Sequence, residues 1–374
     1  MKLLHVSDLH IGKRLLEQSL KNDQQHMLKA IADMAREHEV DALLICGDVY
    51  DKNVPSEEAV ALFDAFLAQL AAQKTKTYII AGNHDSRERL HFASGLLAQS
   101  GIHIVTDYDG QVAKHTLQDD FGEVALYMLP FVKPASVAAH FDTRPDTYTR
   151  AVQWVLDREN IDTNKRNVIM AHQFVTAAGG EVSRSDSEQL STGGMDNVDV
   201  SVFDKFDYVA LGHIHGPQRV GRDTVRYSGS MLKYSFSEQY HQKGALLIGL
   251  KQKGEVEIDK LPFDMPTEMA TLQGKMQDIL DNATPGDTRY LQVVLTDDTP
   301  LYNAIGTLKA VYPNLLALKF APGSAVAVDS RTAAKNVAHK TPMQLFEDLF
   351  AMQNGMEMSE YQQDLINKMW EDEA

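Results

Sequence analysis

Short apolar runs alternate with amphipathic stretches over the first two hundred residues. The runs are Leu3 to Val6, Ala42 to Cys46, Tyr78 to Ala81, Val168 to Ala171 and Tyr208 to Leu211. Most are rich in Val, Ile or Leu, the pattern of strands buried on both faces. Between them apolar positions recur at helical spacing. Met27, Leu28, Ile31, Met34 and Ala35 form one set; Val60, Phe63, Leu67 and Leu70 form another, behind Pro55 and an N-cap at Ser56. Strand alternating with helix predicts an α/β layered core, sheets flanked by helices. From Asp223 to Leu261 the pattern shortens to strands and turns, with Ala245 to Leu250 and Val256 to Ile258 separated by Lys253-Gly254.

Pro262 and Pro266 bracket a boundary. Beyond it the pattern predicts a helix (Met269 to Leu280), a turn at Pro285-Gly286, a strand (Tyr290 to Leu295), a helix (Leu301 to Val311) and a strand (Leu315 to Phe320). Ala321 to Lys340 lacks clear periodicity. The last stretch predicts two helices, one marked by Leu345, Phe346, Leu349 and Phe350, the other by Tyr361, Leu365, Ile366, Met369 and Trp370. The division is therefore a core domain over 1–265, a small α+β domain over 266–325, a linker over 326–340 and a helical region over 341–374.

Composition narrows the function. The 374 residues are 44% hydrophobic, enough for a large core. Cys46 is the single cysteine, so no internal disulfide forms. No apolar run is long enough to span a membrane, and the opening Met1-Lys2-Leu3-Leu4-His5 does not read as a signal peptide. The expectation is a cytoplasmic protein. The net charge of −16 argues against a nucleic-acid binder, which usually shows a basic balance.

The chemistry lies where the apolar runs end. The first leads into Asp8-Leu9-His10, the second into Gly47-Asp48-Val49-Tyr50-Asp51 and the third into Gly82-Asn83-His84-Asp85. The fourth ends at His172, and the fifth leads into Gly212-His213-Ile214-His215. Sites in α/β sheets form beyond the carboxyl ends of strands, so five strand ends are expected to deliver these groups to one edge of one sheet. Asp, Asn and His without thiolate suit Mn²⁺, Fe or Zn²⁺ rather than Ca²⁺. Asp8, His10, Asp48, Asn83, His172, His213 and His215 are too many ligands for one ion; two ions at about 3.5–4 Å sharing a carboxylate would use them. The Gly before Asp48, Asn83 and His213 would let the backbone turn sharply and pass close to the ions.

Asp-x-His, Gly-Asp-x-x-Asp, Gly-Asn-His-Asp, a lone His and Gly-His-x-His, in that order, resemble the signature of the calcineurin-like metallophosphoesterases. Within that superfamily the chain resembles the SbcD family of bacterial nuclease subunits along its whole length. The closer match rests on Ala171-His172-Gln173-Phe174-Val175, on Leu211 through Gln218, and on Arg226-Tyr227-Ser228-Gly229-Ser230. The resemblance implies one metal on Asp8, His10 and His215 and a second on Asn83, His172 and His213, with Asp48 bridging. The metals are typically Mn²⁺, and a water made acidic by both would attack phosphorus. His84 would stabilise the transition state or protonate the leaving oxygen, and Asp51 would pair with and orient His84. The fold implied is a layered metallophosphoesterase core with a small α+β capping domain and C-terminal helices. An SbcC-like ABC-type ATPase would dock on those helices, and two copies would join through the nuclease domain. The complex would act on double-stranded DNA as an ATP-dependent 3′→5′ exonuclease and on hairpins and single strands as an endonuclease, in recombination and repair. The core motifs also fit a phosphoesterase acting on a small phosphomonoester or cyclic nucleotide. The extra domain and helices disfavour that rival, and the intact ligand set disfavours a non-catalytic scaffold.

Other features have plainer readings. The histidines outside the motifs read as surface or core residues, and Cys46 as a small buried hydrophobe. Asp85 would either bond around the ligands or cap the following helix. Arg219, Arg222, Arg226 and Lys233 stand against one acid, Asp223, and would either meet DNA phosphates or form a solvated face. Tyr234 and Phe236 suit core packing better than stacking on bases. Residues 341–374 hold eight acids and one Lys, a net of −7, so the remainder carries only −9. Much of the charge that argued against DNA thus lies in the proposed docking region.

Overall fold

The computed structural model describes residues 1–177, 182–188, 196–299, 301–321, 343–347, 350, 358–359, 361–363 and 366. The chain divides into two units, Met1–Ala270 and Thr271–Ala374. The expected linker, 326–340, and most of 341–374 lie outside the described residues; those described within 341–374, apart from 358–359, are helical.

Unit one is two six-stranded sheets face to face, and the chain builds them in turn. β1 (Lys2–Val6), β2 (Ala42–Cys46), β3 (Thr77–Ile80) and β4 (Ile102–Val105) run parallel in the first sheet. β5 (Ala113–Asp119), β6 (Gly122–Leu129), β7 (Arg166–His172), β8 (Tyr208–Gly212), β9 (Gln218–Val220) and β10 (Arg222–Tyr227) form the second, in the order β9-β10-β8-β7-β6-β5. The hairpin β11 (Gly244–Leu250) and β12 (Val256–Pro262) then returns to the first sheet, where β11 lies antiparallel to β1. Leu3, Leu44, Cys46 and Ile80 of the first sheet pack against Leu126, Met128, Val168, Met170, Tyr208 and Ala210 of the second.

The five apolar runs are strands, but they do not share one sheet. Those ending at Val6, Cys46 and Ala81 supply β1, β2 and β3; those ending at Ala171 and Leu211 supply β7 and β8 of the second sheet. An uninterrupted apolar run reports burial on both faces and carries nothing about which sheet holds it.

The helices follow their apolar stripes. α1 (Lys21–Glu37) buries Met27, Leu28, Ile31, Ala32 and Ala35. α2 (Glu57–Ala72) starts at Ser56, whose side chain accepts from the Ala59 amide, and buries Phe63, Phe66, Leu67 and Leu70; Val60, placed on that stripe by its spacing, faces solvent. α3 (Tyr148–Arg158) buries Ala151, Val152, Val155 and Leu156 in a second core that includes Ile169 and Val209 of the second sheet.

Unit two is a three-stranded sheet, β13 (Met269–Gly274), β14 (Tyr290–Leu295) and β15 (Leu315–Phe320), with α4 (Met276–Asp281) and α5 (Ala304–Val311) between strands. The helix expected over Met269–Leu280 is therefore a strand followed by a short helix. Extended backbone at Lys275 ends the strand, and the Asp297 carboxylate accepts from the Met276 amide to start α4. Pairing with β14 overrides the local helical spacing.

Candidate metal centre

All seven expected ligands and His84 meet where β1, β2 and β3 of one sheet and β7 and β8 of the other end at the same side of the sandwich. The turns that deliver them are tight. Asp8, His10, Asp48 and His213 adopt positive φ of 52°, 43°, 48° and 104°, a region that costs side chains energy and concentrates at functional sites. Gly47 turns at a positive φ of 86°, as expected of it, and all three glycines also meet a steric demand. A Cβ on Gly47 would lie 2.1 Å from His172 Nδ1, one on Gly82 2.1 Å from Asp48 Oδ1, and one on Gly212 1.8 Å from the Cys46 carbonyl. Close approach to neighbouring protein groups excludes a side chain at all three.

The ligand atoms converge in two overlapping sets. His10 Nε2 and His215 Nε2 lie 3.0 Å apart, and Asp8, His10 and His215 each bring a ligand atom within 4.8 Å of the others. On the other side, Asn83 Oδ1 lies 3.1 Å from His172 Nε2 and 2.9 Å from His213 Nδ1. Asp48 Oδ2 stands between the sets, 3.6 Å from His10 Nε2 and 3.4 Å from His172 Nε2. Burial holds His10 and His213 at a pKa of about 3, so both imidazoles are neutral and keep lone pairs for a cation. Burial would raise the Asp48 carboxyl, but His172, His10 and His84 around it hold it well below the usual range. His172 donates Nδ1–H to the Cys46 carbonyl at 2.8 Å, which leaves Nε2 facing the site. Burial would lower His172, but the Asp48 and Asp8 carboxylates beside it push it up to about 9. Imidazoles, an amide oxygen and a shared carboxylate with no thiolate fit a pair of divalent cations.

Asp51 departs from its expected place, and Asp85 takes the first of its two expected roles. His84 Nδ1 donates to the backbone carbonyl of Asp51 at 2.8 Å, while the Asp51 carboxylate bonds Lys13 Nζ at 2.8 Å and lies 3.6 Å from His10 Nδ1. The turn after Asp48 aims that carboxylate away from His84. Asp85 caps no helix; Ser86 does. Its buried carboxylate accepts from the amides of Val49 (3.1 Å), Tyr50 (2.9 Å) and Gly82 (2.9 Å), tying the loop after Asp48 to the loop that carries Asn83.

Several contacts had no motif to reveal them. Gln24 Nε2 donates to the His10 carbonyl at 2.8 Å, and the buried Tyr234 hydroxyl donates to the Leu9 carbonyl. Ser187, Glu188, Glu238 and Lys243 surround His215. Ser-Asp-Ser-Glu at 185–188, a wholly polar run, was the one trace in the sequence. The cations at 219–233 are engaged within the chain. Arg219 meets Asp223, Arg226 the Asp223 carbonyl, Lys233 Glu268, and Arg222 the carbonyls of Phe203 and Phe206. The half-buried rim of the site consists of Asn83, His84 and His213, with Phe131 stacked at 6.4 Å from the His213 ring.

Two facing sheets with carboxylate, amide and imidazole groups at their strand ends define a protein with the donor set of a metal centre. The calcineurin-like phosphoesterase profile matches residues 1–217, and the type 5 capsule protein repressor C-terminal domain profile matches 265–354. The chain belongs to the calcineurin-like phosphoesterases, and within them to the SbcD proteins. The SbcD subunit of the nuclease SbcCD of Staphylococcus epidermidis is 32% identical over 327 residues, 85% of each chain. A dimetal phosphatase from Danio rerio aligns with 71% of this chain and 99% of its own at 14% identity and a TM-score of 0.43. A Thermus thermophilus protein aligns with 69% and 98% at 12% identity and a TM-score of 0.40. Among the described residues no helix is long and apolar enough to cross a membrane.

Proposed function

We propose that this chain is a Mn²⁺-dependent DNA nuclease acting as the catalytic subunit of an ATP-dependent complex. The observation that carries the reading is the placement of Asp48 between two sets of convergent ligands. The relative named as a nuclease subunit supports DNA as the substrate. Asp8, His10 and His215 would hold one ion and Asn83, His172 and His213 the other, with Asp48 shared. When bound, the ions supply Lewis acidity and lower the pKa of water for attack on phosphorus.

The chain's own residues do the rest. Asp8 accepts from the His213 amide through both oxygens at 3.1 Å, locking the first and fifth strand ends together. His84 has its Nδ1 hydrogen committed to the Asp51 carbonyl. The proton it exchanges is therefore at Nε2, on the side of Asp48, and this nitrogen would serve the leaving oxygen. The accessible side of the centre is the Asn83–His84–His213 rim, where an extended strand could lie.

The finer assembly belongs to the same reading. An SbcC-like ABC-type ATPase would bind residues 341–374, and unit two would help admit DNA. A second copy would cover the exposed Val60, Phe92 and Leu96 in a homodimer. One experiment tests the core of it. The purified chain with Mn²⁺ is offered linear DNA, hairpin DNA and a phosphomonoester, with His84→Asn as control. Metal-dependent DNA cleavage lost in His84→Asn is expected; turnover of the phosphomonoester alone would overturn the reading.

A further inference from the structure

His215 is gripped at three points. Its amide donates to Glu188 Oε1 at 2.8 Å, its carbonyl accepts from Lys243 Nζ at 2.8 Å, and its Nδ1 lies 2.7 Å from Ser187 Oγ. The third contact has a fixed direction. Ser187 Oγ lies 2.5 Å from Glu238 Oε1, and the other Glu238 oxygen accepts from Lys243 Nζ at 2.6 Å. Both members of that ion pair are fully buried. Oε1 also accepts from Ser235 Oγ at 3.0 Å and the Tyr234 amide at 3.2 Å. A carboxylate in this setting only accepts, whereas a serine has one hydrogen to give. That hydrogen goes to Glu238, and Ser187 Oγ is left to accept. His215 Nδ1 must then carry a hydrogen, which in the neutral ring leaves Nε2, the atom 3.0 Å from His10 Nε2, bare.

We infer that Ser187 and Glu238 are positioning residues that fix His215 as its Nδ1–H tautomer and aim its free Nε2 at the metal site. The inference rests on the metal-centre reading above, and it adds a polar relay from Lys243 through Glu238 and Ser187. Relays of this kind hold ligating imidazoles in register, and losing them costs about 10- to 100-fold in metal affinity.

The test uses the full chain stripped with chelator and labelled with ¹⁵N-histidine, the His215 signal being assigned by its loss in His215→Gln. Long-range ¹H–¹⁵N spectra read the tautomer, and calorimetry reads Mn²⁺ affinity. Ser187→Ala is expected to lose the Nδ1–H signature and to bind Mn²⁺ about 10- to 100-fold more weakly. Ser187→Thr, which keeps the hydroxyl, is expected to retain both, separating the relay from simple packing. Mn²⁺ affinity in Ser187→Ala equal to that of the parent chain, or a parent chain without the Nδ1–H tautomer, overturns the inference. A parent chain that binds no Mn²⁺ overturns the metal-centre reading itself, a different result.

Discussion

His84 is oriented by the backbone of Asp51: its Nδ1 donates to that residue's carbonyl oxygen at 2.8 Å, while the Asp51 carboxylate bonds Lys13 and leans towards His10. Asp51→Asn keeps the carbonyl and so keeps His84 in place. Its turnover at saturating Mn²⁺ is expected to fall by less than ~10-fold, against about 10²–10⁴-fold for His84→Asn, which loses proton transfer. The metal concentration for half-maximal rate should rise in Asp51→Asn, because its neutral side chain orients His10 less well. Steady-state rates across a Mn²⁺ titration check both; equal loss in the two variants would sink the argument.

The three glycines that precede ligands give a sharper test of the geometry. Gly212→Ala drives a methyl to 1.8 Å from the Cys46 carbonyl, where two strands of different sheets approach, and Gly47→Ala drives one into His172. Neither backbone can yield without moving a ligand, so both variants are expected to lose Mn²⁺ binding and to melt well below the parent chain. Gly254, in the hairpin turn, also has positive φ (+85°) but faces open space; Gly254→Ala should cost only about 1–2 kcal/mol. Thermal unfolding with calorimetric Mn²⁺ titration separates the cases.

The ligands were legible in the sequence because each ends an apolar run, where burial and metal-binding residue types coincide. Their partners were not. Asp85 acts on amides 35 and 36 residues away, and Ser187 reaches Glu238 across 51 residues; neither pairing has a local period or spacing. The division of the five strands between two sheets was hidden for the same reason, since long-range pairing leaves no mark on a run that is apolar throughout. At Met269–Gly274 the local pattern was misleading outright, because an edge pairing with β14 outweighed helical spacing. The basic residues at 219–233 were visible, but their carboxylate and carbonyl partners were not.

Those partners change what the basic stretch is expected to do. Arg222 donates to Phe203 and Phe206 carbonyls at 2.9 and 2.8 Å and to Asp204 at 3.2 Å. Arg222→Ala should lower stability by about 1–3 kcal/mol and leave DNA affinity within about 3-fold. With the cations of this stretch paired within the chain and a net charge of −16, the isolated chain is expected to bind DNA weakly at physiological salt, where few phosphates would be neutralised. Fluorescence anisotropy against salt, beside urea unfolding, reads both; tight binding by the chain alone would contradict it.

Stability at acid pH should depend on Asp119, far from the metal centre. Arg166 holds it through two hydrogen bonds, at 2.5 and 3.0 Å, and the N-terminal ammonium of Met1 adds a third at 2.7 Å. The Arg166 guanidinium, with the Met1 ammonium beside it, keeps the carboxyl well below its ordinary value of 3.8. The folded chain therefore binds this proton more weakly than the unfolded chain. The stabilisation is complete above about pH 4 and is lost as pH falls below it, since protonation there favours the unfolded state. Asp119→Asn removes the charge at every pH and strands a nearly buried Arg166 (5% exposed). Urea unfolding from pH 2.5 to 7 should find the variant less stable at neutral pH by about 1–3 kcal/mol. The gap should narrow from about pH 4 towards pH 2.5, as the unfolded parent chain takes up a proton that the folded chain resists. A gap that stays constant across that range would assign the loss to packing rather than to the charge on Asp119.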